Sequence, residues 1–65
     1  MFIVEEIKEH RKLRNNKYDI LVKWLGYDNP EDITCEPVSN YKYNTIFHEY
    51  CRKNGLQNLI PIEYR

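Results

Sequence analysis

The stretch from Tyr18 to Tyr27 reads YDILVKWLGY and decides how the chain can fold. Its first part, Tyr18 to Trp24, is rich in β-branched and aromatic residues and predicts a strand. The composition of GYDNPED, from Gly26 to Asp32, predicts a loop. The only tryptophan and a nearby tyrosine therefore lie where a strand ends and a loop begins. They either fill the core or line a binding site.

Two further strands flank this one in sequence. The segment from Phe2 to His10, FIVEEIKEH, has the apolar pattern of a long strand that contains a bulge. Arg14 to Lys17, RNNK, predicts a hairpin turn, because asparagine tolerates the positive φ that such turns need. Ile33 to Glu36, ITCE, predicts a short third strand that ends at Pro37.

The C-terminal part has the period of a helix. Asn44 suits the N-cap and Gly55 the position just past the helix end. The apolar residues recur at i, i+3, i+4 and i+7: Tyr43, Ile46, Phe47 and Tyr50. The predicted fold class is α+β, a small three-stranded antiparallel curved sheet with one C-terminal helix packed across it.

The 65 residues suffice for one domain, near the lower limit at which a core stabilises a fold without disulfides or metals. We assign this domain to residues 1–55. Residues 56–65, LQNLIPIEYR, form a C-terminal extension too apolar for a free tail. We expect the extension to dock on the domain or on a partner, for example a second copy of the chain.

Ten basic and ten acidic side chains cancel, so no overall charge attracts the chain to nucleic acid or to a membrane. Basic residues do cluster between Lys8 and Lys17, but a charged hairpin usually serves solubility, and nucleic acid is only a weakly supported partner. The two cysteines are too few for a disulfide framework, which favours a reducing cytosolic or nuclear setting.

Catalysis and metal binding find little support in the sequence. No serine or cysteine nucleophile has a recognisable base, and there is no glycine-rich phosphate loop, so we expect no enzyme activity. Zinc would need His10, Cys35, His48 and Cys51, but structural zinc sites draw paired ligands from a tight turn, which Cys35 lacks. We therefore expect neither metal nor cofactor, and instead a buried cysteine and a surface histidine.

The aromatic residues offer a binding site of another kind. In an antiparallel hairpin the start of one strand lies beside the end of its partner, so Phe2 can approach Trp24, with Tyr27 folding over from the loop. Three aromatic faces around one space can hold a methylated ammonium by cation–π attraction. Composition alone favours the plainer alternative, in which Trp24 belongs to the core and Tyr27 covers a loop.

FIVEEI, YDILVKWLGY, TCEP and a following helix together resemble a chromodomain of the heterochromatin-protein type. The resemblance runs from Phe2 to about Tyr50. It implies a nuclear, chromatin-associated module that reads di- or trimethyl-lysine in a histone tail, by family default in the Ala-Arg-Lys-Ser context of the third core histone. The peptide would add as a strand between the N-terminal segment and the segment after Glu-Pro.

The resemblance also implies roles for individual residues. Phe2, Trp24 and Tyr27 would form the methyl-lysine cage, with Glu31 or Asp32 as its acidic neighbour. Ile3 and Val4 would flank the peptide on one side, Val4 lining the pocket for a small residue. On the other side the implied peptide contacts are Glu36, Ser39, Asn40 and Tyr41.

Two residues depart from the family pattern. Cys35 stands where the family has tryptophan, which implies a lost core aromatic whose volume Phe47, Tyr50 or the C-terminal extension would fill. Lys42 stands where an acidic peptide contact often occurs, which would weaken or redirect binding to a basic histone tail.

Two other readings stay open. The apolar extension fits a chromoshadow-like module that dimerises or binds proteins without reading methyl-lysine. The basic stretch from Lys8 to Lys17 fits a nucleic-acid-binding chromodomain.

Overall fold

The computed structural model describes residues 2–65. An antiparallel sheet has the order β1-β2-β3, and a helix packs against it. This confirms the predicted α+β fold. The elements are β1 (Val4–Lys12), β2 (Tyr18–Trp24), β3 (Thr34–Pro37) and α1 (Thr45–Lys53). Within residues 2–65 no helix has the length and apolar character needed to cross a membrane.

The strand bounds follow the pairing. β2 spans the predicted residues, whereas β1 starts later than predicted, at Val4, and continues to Lys12 because Lys12 still pairs with Tyr18. Two register shifts along β1 are bulges of the kind that bend a strand. β3 lies one residue further along than predicted and includes Pro37, which an edge strand tolerates.

Asparagines make the turn between β1 and β2, as predicted. Asn15 and Asn16 have φ values of 63° and 59°, in the left-handed region that asparagine tolerates better than most residues. The backbone N–H of Leu13 donates to the carbonyl of Lys17 at 2.6 Å and closes the hairpin. Local turn chemistry thus sets the register of the first two strands.

The helix begins at its predicted cap but buries a different face. The Asn44 side chain accepts a hydrogen bond from the backbone N–H of Phe47 at 3.1 Å, and Gly55 follows the helix with φ 71°. Phe47 is fully buried as expected, but Tyr43 lies before the helix and is exposed. His48 and Cys51 complete the buried face instead.

Of the two histidines, His10 is exposed, whereas His48 is buried and only 3% exposed. The ring Nε2 lies within hydrogen-bond distance of the Lys42 carbonyl, so the buried polar group has a partner. Tyr64 from the C-terminal extension covers the same ring, with centroids 5.5 Å apart.

The C-terminal extension takes part in the core. Ile60 is 1% exposed and belongs to the same buried cluster as Phe47. The Arg65 side chain donates to the Ile60 carbonyl at 2.8 Å, and Arg52 of α1 donates to the Tyr64 carbonyl at 3.1 Å. The remaining members of the buried cluster are Ile7, Ile20, Val22, Val38 and Cys51.

Cys35 does not lie in the core, so a cysteine at this position leaves no void in the core. It points to the exposed face of β3, where its thiol donates to a carboxylate oxygen of Asp19 at 3.6 Å. The expectation that Phe47, Tyr50 or the extension fills a void left there is therefore wrong. Phe47 and Ile60 are buried for a different reason, because they cover the inner face of the sheet.

The four residues considered for zinc lie in different environments. Cys35 is exposed and Cys51 buried, while His10 Nδ1 is 2.7 Å from the hydroxyl of Tyr50. In the part of the chain that the structure describes, no group of three or more His, Cys, Asp or Glu side chains is arranged to hold a metal ion.

The two thiols are expected to react at very different rates. Burial raises the pKa of Cys51 from about 9 to about 11, and its side chain is inaccessible. At neutral pH a thiol reagent should modify Cys35 at once and Cys51 only as fast as the domain opens. Between about pH 9 and about pH 11 the Cys51 thiol ionises in the unfolded chain but not in the folded one, so the free energy of unfolding should fall as the pH rises through this range. Labelling of Cys51 should become faster over the same range. Mass spectrometry of a timed labelling series checks this, and equal native rates for both thiols would contradict it.

Candidate functional site

Strand pairing brings the N-terminal segment to the end of β2. Val4 pairs with Trp24, and one step further the backbone N–H of Leu25 donates to the Ile3 carbonyl at 2.8 Å. This bond continues the pairing beyond the last residue of the strand. Phe2 is therefore held beside the residues that follow β2.

The three aromatic rings singled out in the sequence meet at this end of the sheet. The Phe2 ring lies 5.8 Å from that of Trp24, edge to face, and 5.4 Å from that of Tyr27, measured between centroids. Phe2 is 68% exposed and Tyr27 43% exposed, while Trp24 is half-buried. Aromatic side chains that serve only the core are buried, because burial is what makes them stabilise a fold. The exposure of Phe2 and Tyr27 therefore indicates a role other than core packing.

Trp24 has an anchor that sequence reasoning missed. Its indole N–H donates to the hydroxyl of Thr34 on β3 at 2.8 Å, and the ring also packs against the core cluster. Thr34 is the first residue of the TCEP motif, so the motif itself was the available signal. The ring is thus held in one orientation with part of its surface toward Phe2.

Gly26 allows Tyr27 to return toward the strand. Its φ is +84°, in the left-handed region that glycine adopts without a steric penalty. The backbone N–H of Tyr27 donates to the Trp24 carbonyl at 3.1 Å and closes the turn. The spacing of tryptophan, glycine and tyrosine in WLGY therefore places both rings on the same end of the sheet.

Lys23 and two carboxylates beside the rings form a second feature that the sequence did not reveal. The Lys23 ammonium donates to a carboxylate oxygen of Glu5 and to Asp28 Oδ1, the latter at 3.0 Å. These hydrogen bonds, the one to Glu5 most of all, raise the pKa of Lys23. Two carboxylates against one ammonium leave a net negative charge next to Trp24.

Glu31 and Asp32, the expected acidic neighbours, lie in the short 3₁₀ turn Pro30–Asp32 that follows the Tyr27 loop. Glu31 is exposed and Asp32 half-buried, and neither makes an ion pair with another of residues 2–65. No basic residue lies between Trp24 and Glu36 in the sequence. This end of the domain therefore has a negative potential, which favours a cationic ligand.

The expected peptide-binding residues fall on two segments. Ile3 is exposed and Val4 half-buried on one side of β2, whereas Glu36 lies on β3 and Ser39, Asn40 and Tyr41 lie in the 3₁₀ turn Val38–Tyr41 on the other. Burial, and then the negative charge of Glu36, raise the pKa of the Tyr41 phenol.

No hydrogen bond among residues 2–65 joins Ile3 and Val4 to the segment from Glu36 to Tyr41. Val4 and Tyr41 nevertheless pack against the same core cluster. The structure thus brings the three rings together and places the two flanking segments on opposite sides of β2, around one core.

Comparisons of the chain with protein-family models and with curated proteins found no match. The likeness to chromodomains therefore rests on the motif residues and on the geometry described above.

Proposed function

We propose that this chain is a chromatin-associated module of the nucleus that reads di- or trimethyl-lysine in a histone tail. The observation that carries the proposal is the contact of Phe2 with both Trp24 and Tyr27 at an exposed, acidic end of the sheet. Aromatic faces attract a methylated ammonium through their quadrupoles, and it keeps its charge while losing hydrogen-bond donors.

Binding requires the rings to separate. The centroids of Phe2 and its two neighbours are less than 6 Å apart, so the rings touch one another. A methylammonium held between ring faces needs space that touching rings do not leave, so it has to displace one of them. Phe2 is the ring that moves, because it precedes β1 and is 68% exposed, whereas Trp24 is anchored to Thr34.

The peptide would run as an added strand beside the displaced N-terminal segment. Ile3 and Val4 offer one flanking backbone, and Ser39 to Tyr41 offer the other. Main-chain hydrogen bonds to such a strand supply affinity, and side-chain pockets at alternate positions supply specificity. The carboxylate of Glu36 and the amide of Asn40 are available as hydrogen-bonding partners beside this path.

The test is a calorimetric titration of the chain with two peptides that differ only in lysine methylation. A trimethylated peptide with the Ala-Arg-Lys-Ser sequence should bind with micromolar affinity, and the unmethylated peptide about ten-fold or more weakly. Equal affinity for the two peptides would refute the proposal. A panel of other methylated contexts then shows whether Lys42 has redirected the preference.

A dimerisation module is a second candidate, and one observation favours it. Tyr43, Ile62 and Tyr64 are large, exposed and apolar, and the rings of Tyr43 and Tyr64 lie 5.5 Å apart. Apolar patches of this kind often mark protein interfaces. A dimer in sedimentation equilibrium, together with no peptide binding, would support this candidate over the reader.

A further inference from the structure

The charges of the chain are segregated although they sum to zero. The acidic residues beside the aromatic rings lie at the end of β2, and the basic stretch lies at its start. Between Lys8 and Lys17, Glu9 is the single acidic residue, and the basic residues are Lys8, Lys12, Lys17, Arg11 and Arg14. The hairpin end of the sheet is therefore positive.

Part of this positive charge is not neutralised within the domain. Lys8 pairs with Glu6 and Arg11 with Asp19, at 3.0 and 3.4 Å. Lys12, Arg14 and Lys17 make no ion pair with any of the described residues 2–65 and are exposed to solvent. These side chains are free to meet an anionic ligand.

Lys42 joins this cluster from a distant part of the sequence. A groove of about 510 Å³ runs between the hairpin and the turn after β3, and both Lys17 and Lys42 line it. Lys42 is exposed, and the hydrogen bond between its carbonyl and His48 fixes its backbone. The side chain that departs from the family pattern thus belongs to the hairpin groove.

The floor of the groove is apolar and aromatic. Leu13, Tyr18, Val38 and Leu59 line it, together with Ser39. Asp19 is the one carboxylate among the described lining residues, and it is already bonded to Arg11. A groove lined by apolar residues and two exposed lysines is unlike an ordinary solvated hairpin.

We propose that this groove binds single-stranded nucleic acid. An unpaired base would pack on Tyr18 and the apolar floor, while phosphates would contact Lys17 and Lys42. Lys12 and Arg14 would extend the phosphate path along the hairpin. Single strands are bound by this combination of base stacking and a basic groove, whereas a duplex keeps its base faces covered.

The groove and the aromatic rings lie at opposite ends of β2, whose seven residues span roughly 20 Å. Nucleic acid at the groove would leave the aromatic rings uncovered, while Ser39 and Lys42 lie both at the groove and beside the proposed peptide path. The inference does not rest on the rings that carry the proposed methyl-lysine function, and each can fail without the other.

The experiment measures fluorescence anisotropy of a labelled oligouridine of about 12 nucleotides with the full chain. The double variant Lys17→Glu/Lys42→Glu should weaken binding about ten-fold or more and flatten the dependence of affinity on salt. The control reverses two lysines that do not line the groove, Lys8→Glu, whose charge is already paired with Glu6, and Lys53→Glu, and it should change affinity about two-fold or less. All four lysines are exposed, and circular dichroism verifies that both variants remain folded.

Three results would overturn the inference. The first is an absence of binding to the single strand at low salt. The second is an equal loss in the groove variant and the control variant, which means attraction by overall charge alone. The third is a preference for a duplex of the same length or for vesicles that contain anionic lipid.

Discussion

A chain that ends at Gly55 is expected to be unfolded under conditions in which the full chain is folded. The removed segment contains Ile60, which is 1% exposed in the cluster around Phe47, and the half-buried Leu56 and Leu59 pack against the same cluster. Loss of one buried isoleucine side chain costs about 2–5 kcal/mol, and a domain of this size has little more than that to lose. Circular dichroism and thermal unfolding measure the effect.

A matched pair of substitutions distinguishes the effect of losing one buried side chain from the effect of shortening the chain. Ile60→Ala should lower the free energy of unfolding by about 2–5 kcal/mol. Ile62→Ala, two residues later at a side chain that is 77% exposed, should change it by about 0.5 kcal/mol or less. A cooperative unfolding transition for the chain that ends at Gly55 would show that the extension is dispensable.

Trp24→Ala is expected to remove most of the affinity for a methylated peptide, because Trp24 is the largest and most firmly held of the three rings. One cation–π contact is worth about 0.5–2 kcal/mol, or roughly 2- to 30-fold in affinity, and tryptophan lies at the strong end of that range. The substitution should also destabilise the fold, since it removes core packing and leaves the Thr34 hydroxyl without its donor. Calorimetric titration and urea unfolding should be carried out on the same sample.

Phe2→Ala makes the test independent of folding. Phe2 lies outside the strands and is mostly exposed, so its loss should weaken methyl-peptide binding about 2- to 30-fold with little change in stability. Leu25→Ala is the matched control, an exposed apolar side chain next to Trp24 in sequence and outside the proposed cage. Undiminished binding by both Phe2→Ala and Trp24→Ala would remove the cage from the proposed function.

Much of the fold was predictable because the signals are local. The predicted bounds of β2 are those that the structure has. The asparagine turn and the Asn44 cap act on backbone groups only a few residues away. The meeting of Phe2, Trp24 and Tyr27 was also predictable, since a hairpin places the start of β1 beside the end of β2. These inferences need only the period of the side chains and the geometry of one turn.

The errors arose where a residue's environment is made by distant elements. Tyr43 was expected on the buried helix face but is exposed, and α1 buries His48 instead. Tyr64 covers the His48 ring, and the Lys42 carbonyl is its hydrogen-bond partner. Cys35 was expected at a core position that had lost an aromatic side chain, but the alternation of side chains along β3 places it on the exposed face. Neither direction can be read from residue type alone.

The sequence by itself determined the strands, the turn, the helix cap and the aromatic cluster, because backbone conformation and side-chain period depend on neighbours along the chain. Only the tertiary structure decided which helix face is buried, that Ile60 belongs to the core, and that Lys42 and Lys17 line the same groove. Those outcomes depend on how separate elements share one small core, where each buried side chain excludes another from the same volume.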